Sequence, residues 1–198
     1  MTSPRVAELG AQVVERAAAA GLADVAYGTM DSPLGELLVA ATEEGVVYVG
    51  FEGESDESLL ELSRRVSPRV LRLPRRVDAP RRELDEYFAG GRRQFDVPLD
   101  RRLMGPFCAT VLDRTARIPY GQVLPYAQVA REIGAPLAAR AVGNALGANP
   151  IPVIVPCHRV VRSGGSLGGY GGGLDRKRRL LELEGALPPT SRAAARSG

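Results

Sequence analysis

The chain has 198 residues, of which 44% are apolar, and a formal net charge of +3. This size and composition are typical of one medium domain or two small ones around a buried core. No apolar run approaches the roughly 20 residues of a membrane-spanning helix, and the N-terminus MTSPRVAELG lacks the apolar stretch of a secretory signal. We therefore expect a cytoplasmic protein with no membrane association.

Arginine supplies nearly all of the positive charge, since Lys177 is the sole lysine. The arginines cluster within residues 64–82 and 176–179. One interpretation is a polyanionic partner such as nucleic acid, and the other is an arginine-rich solvated surface. Charge alone does not decide between them.

The first half of the chain mixes strand and helix patterns. Apolar residues at near-helical spacing predict an amphipathic helix within residues 1–23. Short β-rich runs broken by turn residues predict a meander of antiparallel strands over 25–51. A helix of about 11 residues from Ser55 and a second helix over 80–89 follow. Between them, the arginine- and proline-rich stretch 67–77 indicates an exposed connection.

The second half is mostly helical. Helices are predicted over 104–116, 126–133 and 137–146, and the last two are joined by the breaker Gly134-Ala135-Pro136. Such a pair is typical of a helix-turn-helix. The predicted organisation is therefore an α+β domain with a helical extension, a helical domain and a disordered tail, at residues 1–97, 98–187 and 188–198.

The second helix of this pair, LAARAVGNALG, carries little side-chain bulk, and Arg140 is its one long side chain. Glycine inside a helix costs about 1 kcal/mol relative to alanine, so its presence indicates a close approach to another surface. That surface is either a neighbouring helix or a groove of DNA. The residues alone leave both interpretations open.

A short apolar run, IPVIV, predicts a buried extended segment that leads directly to Cys157 and His158. Two cysteines and one histidine are too few for a four-ligand zinc site, so no metal is expected. A nearby imidazole can raise the thiolate fraction of a cysteine. Because adjacent residues of a strand point to opposite sides, the two side chains need a water or a bend to communicate.

An imidazole that accepts a proton is usually oriented by a carboxylate at its other nitrogen. Glu184 in LLELEG is the candidate, and Glu182 is the second choice. The alternative is that Cys157 and His158 are both ordinary core residues.

Five motifs carry a more specific signal: IPYGQVLPYAQVA, ARAVGNALGANP, IPVIVPCHRVV, GGYGGG and RKRRLLELEG. In order and spacing, over residues 98–185, they resemble the O6-alkylguanine-DNA alkyltransferase family, the methylated-DNA-protein-cysteine methyltransferases. SPLGELLVA at 32–40 resembles the family's first domain more loosely. The resemblance implies an α+β fold with a ribonuclease-H-like antiparallel sheet domain and a mostly helical, winged helix-turn-helix-like second domain.

The resemblance also implies an activity. The family repairs O6-alkylguanine, with O4-alkylthymine as a further candidate substrate, by flipping the base out of the duplex and moving its alkyl group to a cysteine once. The partner would be double-stranded DNA carrying alkylated guanine, entered through the minor groove, and no cofactor would be needed. A monomer is expected, with cooperative binding on DNA as the alternative.

The resemblance also implies roles for individual residues, each at the position that matches a family motif. Cys157 resembles the alkyl acceptor, His158 the water-relayed base and Glu184 the carboxylate that orients it. Tyr126 resembles the tyrosine that assists base rotation and donates to the departing guanine, and Arg140 the finger that replaces the flipped base. Asn149 would brace the active-site turn. Ala139, Ala141 and Gly143 would contact DNA. Val155, Tyr170 and Gly171 would line the guanine pocket.

The sequence departs from the family in GPFCATVLDRT, which lacks a frequent Phe-Gln and Trp, and in Gly171, where many relatives have serine or alanine. These departures affect which alkylated bases the pocket would prefer more than they affect the activity. Cys108 is expected to be a core residue of helix 104–116. Three rival functions are disfavoured: a cysteine hydrolase needs a distant histidine, a non-catalytic lesion binder lacks the acceptor cysteine, and a sequence-specific regulator needs more base-reading side chains than Arg140.

Overall fold

The computed structural model of the protein describes residues 20–189, together with Gly10, Gln12, Val13 and Arg16. The chain forms two compact units, and the second begins at Pro106. The predicted amphipathic helix over 1–23 and the predicted disordered tail over 188–198 lie largely outside the described residues.

The boundary between the units falls after Gly105, later in the chain than the predicted position after residue 97. The intervening segment pairs with a strand of the first unit. The backbone N–H of Val46 donates to the carbonyl of Pro98 at 2.9 Å, and the N–H of Asp100 donates to the carbonyl of Val46 at 2.8 Å. These backbone bonds keep the segment in the first unit.

A four-stranded sheet forms the centre of the first unit. The antiparallel meander predicted for 25–51 is confirmed as β1 (Val25–Met30), β2 (Leu37–Thr42) and β3 (Gly45–Gly50). A fourth strand, β4 (Val70–Arg72), pairs in parallel with β1, so the strand order is β3-β2-β1-β4.

The prediction of an exposed connection over 67–77 is correct for its arginines, which are exposed, but the stretch is not an irregular connection. This stretch contains β4 and a 3-10 turn, Pro74–Val77, and both Leu73 and Val77 are buried. Apolar residues lie between its arginines, and these apolar side chains face the sheet. The turn approaches β1 so closely that a Cβ on Gly28 would lie 3.1 Å from the Val77 side chain.

Two helices complete the first unit. The helix predicted from Ser55 is confirmed as α1 (Asp56–Arg65), and the Ser55 hydroxyl caps it by accepting the N–H of Ser58 at 3.2 Å. The second is α2 (Asp78–Phe88). Buried Leu62 joins α1 to the sheet, and its burial stabilises the unit by about 2 kcal/mol. The core cluster consists of Val25, Tyr27, Leu38, Ala40, Val47, Leu62 and Leu103.

Three helices that pack on one another begin the second unit: α3 (Pro106–Ala116), α4 (Tyr126–Glu132) and α5 (Ala139–Gly147). Their buried contacts include Val111, Leu112, Val129, Val142 and Leu146. Gly134, at φ 79°, ends α4 in the left-handed conformation that glycine tolerates. The arrangement of α4 and α5 is the predicted helix-turn-helix.

The second unit closes with a parallel pair, β5 (Leu124–Pro125) and β6 (Val160–Val161), followed by α6 (Leu174–Leu183). The prediction of an extended IPVIV segment is wrong. The N–H of Val155 donates to the carbonyl of Ile151 at 2.9 Å, which closes a turn, and Val153 takes φ 74°.

Within the described part of the chain, no helix has both the length and the apolar character needed to cross a membrane.

Candidate active site

Cys157 begins a 3-10 turn, Cys157–Arg159, which Pro156 separates from the turn over 151–155. Its N–H donates to the carbonyl of Val155 at 2.8 Å, and its side chain is buried. Because this backbone is helical, the expectation that Cys157 and His158 point to opposite faces of a strand does not apply. The bend considered from the sequence is present.

Asn149 holds this loop in shape. Its Nδ2 donates to the carbonyl of Val155 at 2.9 Å and to Sγ of Cys157 at 3.1 Å, while its Oδ1 accepts the N–H of Ile151 at 3.0 Å. A buried β-branched residue such as Val153 at positive φ is strained, so it needs surroundings that hold it. One amide side chain thus connects the strained turn to the thiol.

His158 and Glu184 form a buried pair. Nε2 of His158 lies 2.9 Å from Oε1 of Glu184, and neither side chain is exposed to solvent. Despite the opposing effect of burial, hydrogen bonds from His158 and Arg159 hold the pKa of Glu184 at about 2. Because Glu184 is ionised, Nε2 carries the proton of a neutral imidazole. The lone pair therefore lies on Nδ1, which has no hydrogen-bond partner among the described residues.

Glu184, and not the second candidate Glu182, is the carboxylate at the histidine. Glu182 lies 4.0 Å from Arg178 on the outer part of α6. Glu184 also accepts Nε and Nη2 of Arg159, at 2.9 and 2.8 Å, and the N–H of Gly121 at 3.3 Å. Both of its oxygens are therefore held by donors.

Burial raises the pKa of the Cys157 thiol to about 11, although the Asn149 hydrogen bond and the charge of Lys177 lower it in part. Burial also lowers the pKa of His158, against the opposing effect of Glu184. The thiol is therefore protonated and the imidazole neutral near pH 7. This is the protonation state in which a base can accept the proton as the sulfur reacts.

A cavity of about 560 Å³ opens onto Cys157. The predicted pocket residues Tyr170 and Gly171 line it, and so do the predicted DNA-contact residues Tyr126, Ala139, Arg140 and Gly143. Two predicted residues do not line it. Val155 is buried and contributes its backbone to the Cys157 loop, and Ala141 lies exposed on α5.

The small residues of α5 face open space more than a neighbouring helix. A Cβ on Gly147 would meet nothing within 4 Å, and one on Gly143 would meet the Tyr126 ring at an ordinary 3.7 Å. The packing contacts of α5 come instead from buried Val142, Ala145 and Leu146. Close packing inside the protein therefore does not account for these glycines.

Tyr126, the first residue of α4, lies between α5 and the glycine-rich loop 168–173. Its hydroxyl donates to the carbonyl of Gly169 at 3.2 Å. Its ring lies so close to Gly168, at φ 67°, that a Cβ there would be 2.9 Å from it. Burial raises the pKa of this tyrosine, so its hydroxyl remains a donor near pH 7.

Two buried cations were missed by the sequence analysis. Arg159 is 5% exposed, and Lys177 is fully buried, with Nζ donating to the carbonyls of Val160 at 2.6 Å and Gly169 at 3.2 Å. Lys177 therefore does not belong to a solvated basic cluster. Its helical spacing to the buried Leu180 and Leu181, three and four residues further along α6, could have indicated its burial.

Cys108 is only partly buried, with its Sγ 3.5 Å from the carbonyl of Ala145, so it is less enclosed than predicted. Neither cysteine forms a disulfide. In the portion of the chain that the structure describes, no three His, Cys, Asp or Glu side chains are grouped to hold a metal ion.

Together, these contacts define a protein that carries its own enclosed nucleophile beside a helix-turn-helix. Two family models match the chain. The DNA-binding domain of 6-O-methylguanine DNA methyltransferase matches residues 106–186, and the ribonuclease-like domain of that protein matches residues 25–101.

Individual relatives and solved structures match the same family. A methylated-DNA--protein-cysteine methyltransferase of Mycobacterium bovis is 45% identical over 164 residues, which is 82% of this chain and 94% of the relative. A crystal structure of Mycobacterium tuberculosis O6-methylguanine methyltransferase aligns with TM-score 0.71 at 41% identity, covering 84% and 96% of the two chains. A structure of Mycobacterium tuberculosis OGT in complex with DNA aligns with TM-score 0.69 at 41% identity, covering 80% and 92%. The chain belongs to the 6-O-methylguanine DNA methyltransferase family.

Proposed function

We propose that this protein repairs O6-alkylguanine in double-stranded DNA by transferring the alkyl group irreversibly to its own Cys157. The observation that carries the proposal is that Cys157 lines the 560 Å³ cavity while the next residue, His158, forms a buried pair with Glu184. A second substrate, O4-alkylthymine, would be processed by the same chemistry.

The reaction is one in-line displacement. Sγ of Cys157 attacks the alkyl carbon, a sulfur–carbon bond forms, and the bond from that carbon to O6 breaks with its electron pair leaving on guanine. The thiol proton passes through one water to Nδ1 of His158, and the ionised Glu184 stabilises the resulting imidazolium. The departing guanine takes a proton from the Tyr126 hydroxyl. The imidazolium then gives up its proton to restore the Tyr126 hydroxyl. The net change is the movement of one proton from the thiol to guanine.

Because the pKa of Cys157 is about 11, the transfer needs a base that removes the thiol proton. A thiol with that pKa is almost wholly protonated near pH 7, so attack requires proton removal at the same time. Asn149 would keep Sγ in place through its hydrogen bond to the sulfur.

Reaching O6 requires the damaged nucleotide to leave the duplex, which costs a few kcal/mol. The small outward residues of α5, Ala139, Ala141 and Gly143, would let this helix enter the minor groove. Arg140, exposed at the cavity, would fill the vacated stack, and Tyr126 would turn the nucleotide inward. Tyr170 and Gly171 would then contact the flipped guanine, and Val155 would support this pocket through its backbone in the Cys157 loop.

The proposed reaction uses no metal or cofactor and leaves a stable thioether, so each molecule acts once. We place it in the cytoplasm, because a free thiol persists in that reducing compartment. We infer that it acts as a monomer. The relative solved with DNA supports DNA as the partner.

A transfer assay tests the proposal. Duplex DNA with a radiolabelled methyl group on O6 of one guanine is incubated with the wild type, with C157S and with C108S as the matched control. Label should move to the wild-type and C108S proteins and not to C157S, because a serine hydroxyl is far less acidic than a thiol. Labelled C157S, or unlabelled wild type, would contradict the proposal.

A further inference from the structure

Arg159 is an arginine with almost no contact with water, which is rare for this residue type. Its guanidinium donates through Nε and Nη2 to both oxygens of Glu184, at 2.9 and 2.8 Å. Its Nη1 donates to the carbonyl of Ile118 at 2.6 Å, and its Cζ lies 5.8 Å from the centre of the Tyr120 ring. The side chain therefore joins Glu184 to the loop before β5.

This two-pronged contact restricts Glu184 more than a single hydrogen bond would. A planar guanidinium that holds both oxygens fixes the rotation of the carboxylate as well as its position. Oε1 is the atom that also faces Nε2 of His158. The orientation of the imidazole thus depends on a residue that touches neither Cys157 nor the cavity.

The charge of Arg159 has a second effect. A buried carboxylate facing only an imidazole would draw a proton onto it, and a cation on the same carboxylate weakens that attraction. The charged groups acting on His158 are Glu184, which raises its pKa, and Arg159 and Lys177, which lower it together with burial. The other titratable groups near this site are Cys157 and Tyr170, whose own pKa values burial raises.

We propose that Arg159 is a positioning residue of this site, which fixes the Glu184 carboxylate and keeps His158 neutral until the alkyl group is transferred. The inference rests on the proposed function for its catalytic meaning. Its electrostatic part can be measured without any DNA.

The test uses the fact that His158 is the chain's only histidine, so its NMR signals need no assignment. The imidazole of the wild type, R159M and R114M is titrated by NMR. R114M is the matched control, because it removes an arginine of the same unit that pairs with Glu132. In R159M the His158 pKa should rise by about one unit, as expected for loss of a nearby cation, and in R114M it should stay as in the wild type. An unchanged titration in folded R159M would overturn the inference.

The acid limb of the rate of alkyl transfer against pH supplies a second readout. Because neutral His158 accepts the proton, this limb should move to higher pH in R159M along with the titration. A residue that merely supported the fold would lower the rate equally at every pH. If transfer fails already in the wild type while the R159M titration moves, the proposed function fails and the electrostatic relationship stands.

R159K decides the question if R159M does not fold. Lysine keeps the charge but cannot hold both oxygens and the Ile118 carbonyl together. The His158 pKa should therefore stay near that of the wild type while transfer slows by roughly tenfold, the effect of losing one charge-assisted hydrogen bond. Transfer by R159K at the wild-type rate would overturn the positioning role.

Discussion

Nε2 of His158 and Oε1 of Glu184 lie 2.9 Å apart with both side chains closed to solvent. The carboxylate therefore determines which imidazole nitrogen is free, and the free nitrogen is Nδ1. Glu184 follows α6 and is distant in sequence from Cys157. The carboxylate that orients the imidazole can therefore be substituted without changing the nucleophile or its turn.

Substituting Glu184 with glutamine should slow transfer while leaving DNA binding intact. The amide can still accept from His158, but its lack of charge no longer stabilises the imidazolium. The single-turnover rate of E184Q should fall roughly 100-fold, a typical share for acid–base catalysis. A gel-shift titration of unmodified duplex serves as the control, and a wild-type rate would argue against His158 as the base.

The same carboxylate makes stability depend on acid. Its pKa is about 2 in the folded protein and near the ordinary 4.5 when unfolded, so its contribution is full above pH 4.5 and is lost between about pH 4.5 and 2. The loss amounts to about 3 kcal/mol. His158, whose pKa is lowered on folding, acts in the same direction below pH 6.5.

Urea unfolding of the wild type, E184Q and E182Q between pH 7 and pH 3 measures this dependence. E182Q, which keeps the buried pair, should lose stability with acid as the wild type does. E184Q should lose less. Equal slopes in all three proteins would show that Glu184 is not the responsible group.

Arg140→Ala should impair repair of duplex DNA far more than transfer from free O6-benzylguanine. Only the duplex has a vacated stack that needs a substitute. The two single-turnover rates, measured on the same preparation, give the comparison. Equal losses on both substrates would remove the finger role from Arg140.

Tyr126→Phe should leave DNA affinity nearly unchanged and slow the transfer step. The hydroxyl that now donates to the Gly169 carbonyl is the group proposed to act on the leaving guanine. Tyr48→Phe, in the first unit, is the control for removing a tyrosine hydroxyl. A Y126F protein as fast as Y48F would contradict the proposed role.

The sequence predicted much of this site because its motifs are local. PCHRV places Cys157 beside His158, and LLELEG offers two carboxylates, of which Glu184 is the one that contacts the imidazole. The helix-turn-helix followed from apolar spacing and the breaker around Gly134. These features depend on few residues close together in the chain.

What the sequence could not predict depends on distant contacts. The IPVIV run has the composition of a strand, but the Asn149 side chain and the strained Val153 backbone make it a turn. Arg159 and Lys177 look like solvated charges until Glu184 and two backbone carbonyls surround them. In each case a polar contact made in the folded unit overrides a local preference.

The most direct test of the central claim is the intact mass of the protein after incubation with excess O6-methylguanine duplex. We predict a gain of one methyl group per molecule, found by peptide mapping on the peptide that carries Cys157, with repair stopping at one lesion per active molecule. Cys108 should stay unmodified. Turnover beyond one equivalent, or a methyl group on Cys108 with Cys157 unchanged, would contradict the mechanism.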